Sequence, residues 1–157
     1  MLATSILTLL DHPEQLEELR SDWQGKSSRA VEESIRYNSP VQMTKPRYVR
    51  EDMEFYGRKL KKGQNIMAFL AGANSDKRKF EDPFKFDISR ENVRHVGFGG
   101  GIHLCLGIQL ARTEGQVGLE RIFTRFPNLT LAVERNKLKW IERLGMRGVR
   151  HMPVKFG

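Results

Sequence analysis

The sequence predicts a mainly α-helical fold with a smaller β part, an α+β arrangement. Three observations carry that expectation. The first 37 residues hold three helix-like stretches separated by stop signals. A further helical pattern runs from about Leu106 to Arg125 and is closed by Phe126-Pro127. Between them the texture turns β-rich, with short runs bounded by turn residues.

Taken in order, Leu2 to Leu10 reads as a helix that Asp11-His12-Pro13 stops. Pro13 then suits the first helical position of the next element, where a missing N–H costs nothing. Glu14 to Trp23 is that second, amphipathic helix. Ser27 or Ser28 is expected to cap a third, which runs to about Tyr37 and ends at Asn38-Ser39-Pro40. Arg47-Tyr48-Val49, Met53 to Tyr56 and Gln64 to Leu70 read as strands, with turns at Gly57 and at Lys62-Gly63. Residues 71–104 are expected to be mostly irregular, and a loop of that length in a compact domain usually has a function. After the long helix, Leu129–Val133 and Met152–Phe156 read as strands.

With 157 residues, 39% hydrophobic and 29% charged, the chain suits one domain with a core. Its single cysteine excludes an internal disulfide. The opening MLATSILTLL is apolar for ten residues, without a basic flank or cleavage site and short of the roughly 18 needed to span a bilayer. A cytoplasmic protein without membrane attachment is expected. The net charge of +8 raises the possibility of nucleic acid. However, the basic groups at Lys59, Lys61, Lys62 and at Lys77, Arg78, Lys79 lie beside turns and lack interleaved aromatics that would stack on bases. They read as a solvated face, with an acidic protein as the alternative partner and no nucleic acid.

Residues 97–112 read GFGGGIHLCLGIQLAR, with four glycines in five positions shortly before the only cysteine. The spacing fails the dinucleotide fingerprint at its final glycine, and no Lys-Ser/Thr follows for a phosphate loop. His103 and Cys105 are metal-ligand types, yet there is no second cysteine, and His12, His95 and His151 show no zinc spacing. At a helix N-terminus the macrodipole and free N–H groups favour a thiolate. A nucleophilic thiolate needs a positioned base, so His103 would have to fold back onto the sulfur. A metal-bound thiolate has no such requirement. Glycines, an aromatic and a helix start around one thiolate suit a haem iron, because tight backbone turns bring N–H groups to the sulfur beside a flat macrocycle.

Phe98-Gly99-Gly100-Gly101-Ile102-His103-Leu104-Cys105-Leu106-Gly107 resembles the haem-binding signature of the cytochrome P-450 superfamily, the haem-thiolate monooxygenases. The likeness extends along the chain. Glu33-Ser34-Ile35-Arg36, which alone reads as a surface pair, stands where the family has its E-x-x-R helix. Arg47 stands where the family has a propionate-binding arginine. Ala73-Asn74 with Asp76 resembles an ANRD-like turn, and Phe86-Asp87 with Arg90 precedes the signature.

The resemblance implies haem b (iron protoporphyrin IX), with Cys105 as the iron ligand, Arg47 and His103 on the propionates, Phe98 shielding the sulfur, and Gly99 and Gly107 as signature glycines. It implies that Glu33 and Arg36 form a buried structural pair. Two departures stand out. Lys85 occupies the place of the family's third triad arginine, which implies a weaker triad because lysine makes no fork. Ser75 replaces the arginine of the ANRD-like turn.

Family members are more than twice as long, and no catalytic residue is expected here: the acid–alcohol pair belongs to a helix preceding this segment. The chain resembles the C-terminal portion of a bacterial-type enzyme, so residues 1–157 are expected to be one partial domain lacking its N-terminal portion. The implied function is part of a monooxygenase that inserts oxygen into a small organic substrate with electrons from a ferredoxin-type or other redox partner. That partner is expected on the basic surface beside the cysteine loop, at Arg90, Arg94 and Arg112. The alternative is a truncated, non-catalytic module that binds haem or a partner, including a missing N-terminal half.

Overall fold

Three consecutive helices form the first quarter of the chain, as a computed structural model describing residues 1–91 and 93–157 shows. Helix α1 (Leu2–Asp11) buries Ile6, Leu7 and Leu9, and helix α2 (Pro13–Ser21), with proline in its first turn, buries Leu16 and Leu19. Helix α3 (Trp23–Tyr37) begins earlier than expected. Asp22, not Ser27 or Ser28, is the cap: its Oδ1 accepts the Gly25 N–H at 2.9 Å. Ser27 is instead a buried mid-helix residue. A carboxylate before the first turn satisfies a free N–H and meets the positive end of the helix dipole, which a serine one turn later cannot do.

The β part consists of three separate antiparallel pairs. Strand β1 (Arg47–Tyr48) pairs with β4 (Asn65–Ile66), Arg47 facing Ile66. Strands β2 (Met53–Phe55) and β3 (Arg58–Leu60) form a hairpin around Tyr56 and Gly57, whose φ angles of 47° and 73° are those of a tight turn twisted to match its strands. Strand β3 was not foreseen, because basic residues fill an exposed strand. The expected strand Gln64–Leu70 is shorter and passes into a one-turn helix, α4 (Leu70–Ala73).

After a mostly irregular segment comes the long helix α5 (Ile108–Arg125), then β5 (Thr130–Leu131) paired with β6 (Val154–Lys155). The core lies where α1, α2 and α3 meet α5, around Leu9, Leu19, Val31, Leu119 and Phe123. The backbones of α3 and α5 approach closely at Gly115, where an added Cβ would lie 2.9 Å from the Val31 side chain. Phe86 and Ile88 reach into the same core from the irregular segment. That anchors a segment with little secondary structure of its own.

Candidate functional site

Two structures are built on α3 and its surroundings: a buried ionic knot, and above it a loop that presents the cysteine. Glu33 and Arg36 are one turn apart on α3 and have 0% and 1% of their surfaces exposed. The carboxylate accepts from Arg36 Nε and Nη2, both at 2.7 Å. The remaining guanidinium donors reach backbone carbonyls of Asn74 (2.9 Å), Pro83 (2.8 Å) and Lys85 (3.2 Å). Burial of this pair is tolerable because nearly every lone pair and N–H finds a partner.

The third cation is not Lys85. Its ammonium turns to Asp87 at 3.4 Å, and only its carbonyl serves the knot. Arg90 takes the position, with Nε 3.4 Å from Glu33 Oε1 and its other donors on the carbonyls of Glu81, Asp82 and Lys85. An arginine from five residues further along replaces the expected one, because the intervening turn brings it back to the same carboxylate. This also removes Arg90 from the expected docking surface, since its side chain is 11% exposed.

Asn74 links the knot to the loop. Fully buried, it donates from Nδ2 to Ser39 Oγ at 2.8 Å and accepts the Val96 N–H on Oδ1 at 2.8 Å. From Val96 the chain turns sharply. Gly97 lies so close to α3 that a Cβ would sit 2.6 Å from Ile35, and Gly99 has φ of 76°, which side chains disfavour. The Cys105 N–H returns to the Phe98 carbonyl at 3.0 Å, and the Cys105 carbonyl accepts the Ile108 N–H at 3.3 Å as α5 begins. The thiol is thereby held exposed at the helix entrance.

Cys105 opens into a cleft of about 1090 Å³. Phe98, Gly99, His103 and Arg47 line it with the cysteine, together with the apolar Val41, Met43 and Phe69 and the turn Leu144–Met146. Bridges from Val41 to Met146 and from Met43 to Phe69 knit this far wall. Five of the six residues expected to bind the cofactor thus share one cavity; Gly107 caps α5 outside its lining, and no atom of the chain would meet a Cβ there. Among the described residues, no side-chain hydrogen bond or ion pair engages Arg47 or His103. Nor do three His, Cys, Asp or Glu side chains come together among them as a metal cluster.

A further cluster escaped the sequence reading. Glu32 on α3 accepts from Arg112 on α5 at 2.8 and 2.9 Å, and its Oε2 lies 3.4 Å from His95 Nε2. Burial favours the neutral acid, but the contacts with His95 and Arg112 outweigh it and hold the Glu32 pKa at about 2. The same fork pushes Arg112 upward, so both stay charged. The only signal in the sequence was that Glu32 lies roughly 100° around the helix from Glu33 and must face elsewhere.

The family profile described as cytochrome P450 matches residues 28–147. Cytochrome P450 107B1 of Saccharopolyspora erythraea is 40% identical over 157 residues, all of this chain and 38% of that protein. The vitamin D(3) 25-hydroxylase of Pseudonocardia autotrophica is likewise 40% identical over the whole chain, which covers 39% of it. Among solved structures, P450BioI in complex with an acyl carrier protein carrying hexadec-9Z-enoic acid superposes with a TM-score of 0.92 at 39% identity, over 99% of this chain and 40% of that one. The chain therefore spans about two fifths of the length of the relatives it matches. Among the described residues, no helix is long and apolar enough to cross a membrane.

Proposed function

Since this chain belongs to the cytochrome P450 family by its match over residues 28–147, we propose that it is the haem-binding C-terminal portion of a monooxygenase in which Cys105 is the iron ligand. The observation that carries this reading is the shared cleft: one exposed thiol, Arg47 and His103 without a side-chain hydrogen bond or ion pair among the described residues, and a largely apolar wall in which Lys45 and Arg143 are the other charged residues. That donor set fits haem b, which needs one axial thiolate, cations for two propionates and an apolar slot for a flat ring.

When bound there, haem supplies the one-electron and oxygen chemistry that side chains lack. The chain's own contribution is to hold and shield. The Phe98 carbonyl fixes the Cys105 backbone, and the Phe98 ring keeps water from the sulfur. Arg47 and His103 hold the carboxylates by charge-assisted hydrogen bonds. Val41, Met43 and the Leu144–Met146 turn form an apolar wall for a small organic substrate. The names of relatives, such as vitamin D(3) 25-hydroxylase and 6-deoxyerythronolide B hydroxylase, support a bulky, apolar one. Electrons come from a ferredoxin-type or other redox partner in the cytoplasm. Arg94 is exposed beside the loop and fits such a docking face, and Arg112 on the neighbouring helix is engaged with Glu32.

Haem reconstitution of the chain tests the assignment. Reduced protein under carbon monoxide is expected to show the red-shifted Soret band of thiolate ligation, and Cys105→Ala to abolish it. An unchanged spectrum in the alanine variant refutes the ligand.

A further inference from the structure

Beside the cysteine loop, Glu32 gathers two groups, Arg112 and His95. Its carboxylate takes the Arg112 guanidinium as a two-bond fork, and its Oε2 lies 3.4 Å from His95 Nε2. Both partners then converge on Phe98. The Arg112 guanidinium carbon is 5.5 Å from the centroid of the Phe98 ring, and the His95 ring is 5.8 Å from it. His95 Nδ1 also accepts the Gly97 N–H at 3.0 Å, so the imidazole grips the backbone next to Phe98 and presents its other nitrogen to Glu32. The Phe98 carbonyl in turn accepts the Cys105 N–H.

We infer that Glu32 is a positioning residue for the Cys105 ligand: through Arg112 and His95 it clamps Phe98, and through the Phe98 carbonyl it fixes the loop that offers the sulfur to the cleft. This rests on the reading of Cys105 as the iron ligand, and Glu32 touches neither haem nor substrate in it. The charge matters as much as the shape. A glutamine of the same size would keep the packing but weaken the fork and leave Arg112 uncompensated against an aromatic ring. The buried knot of Glu33 and Arg36 works differently, since its hydrogen bonds tie the segment around residues 74–90.

The test compares the chain with its Glu32→Gln and Glu32→Asp variants by amide hydrogen exchange without haem, and by the carbon monoxide spectrum of reduced, haem-loaded protein. Glu32→Gln is expected to speed exchange across residues 96–108 about tenfold while leaving α1 and α2 within about twofold. In the haem-loaded variant, part of the thiolate band should move to the shorter wavelength of a neutral or displaced sulfur. Glu32→Asp, which keeps the charge, should retain most of the loop protection. Equal exchange in 96–108 for parent and Glu32→Gln, or faster exchange spread evenly over the chain, overturns the inference. Should Glu32→Gln fail to fold, Arg112→Lys, which keeps charge but loses the fork, must loosen the same window; no change there overturns it too. If haem-loaded parent and Cys105→Ala share one spectrum, the ligand reading fails, while the exchange experiment still decides whether Glu32 holds the loop.

Discussion

Single side chains decide the stability of the knot beneath the cysteine loop. Removing the Glu33 carboxylate leaves Arg36 as a buried cation with carbonyl partners only, which costs about 3–5 kcal/mol. Lys77 is exposed, and its replacement is expected to stay within about 0.5 kcal/mol. Thermal unfolding should therefore show Glu33→Ala melting far below Lys77→Ala, and equal midpoints would contradict the geometry. The triad departure is also settled at this scale. A lysine in the expected position does not weaken the triad, because Arg90 supplies the cation and Lys85 only a carbonyl.

At the scale of elements, the crossing of α3 and α5 fixes where both the knot and the ligand loop stand, since Glu32 and Glu33 leave one helix and Arg112 the other. That crossing depends on Gly115. Alanine is the better helix former by about 1 kcal/mol, yet its methyl would press on Val31 at 2.9 Å and on Met1 at 3.0 Å. Overpacking of this kind costs about 1–3 kcal/mol, so Gly115→Ala is expected to lower the denaturant midpoint; a rise would mean that the helices part without loss.

For the whole molecule, large apolar side chains stand exposed at the cleft and on the cysteine loop beside it. Ile102 is 98% exposed, Leu106 is fully so, and Leu144 is 84% exposed. Surfaces of this kind are normally covered by further protein or ligand. Oxygen chemistry also requires protons delivered by positioned groups, and among the described residues no Asp or Glu lines the cleft. The chain alone, loaded with haem and given an electron donor, is therefore expected to consume reductant without forming hydroxylated product from fatty acids or terpenes. Coupled turnover comparable to that of a full-length relative would refute this.

The cysteine loop was legible in the sequence because its geometry is local. Phe98, the glycines, His103 and Cys105 lie within eight positions, and a tight turn before a helix needs those residue types wherever it is placed. The helices were legible for the same reason, through periodicity and stop signals that act over one or two turns. The start of α3 was misread because two good cap residues competed and packing chose Asp22 over a serine that it buries. The partners of Arg90 and Glu32 were beyond the sequence. Whether a carboxylate meets the arginine 80 positions away or the one next to it depends on which faces of α3 and α5 come together. Charges carry no record of their partners along the chain, and only folding brings Glu32 to Arg112, His95 and the back of the cysteine loop.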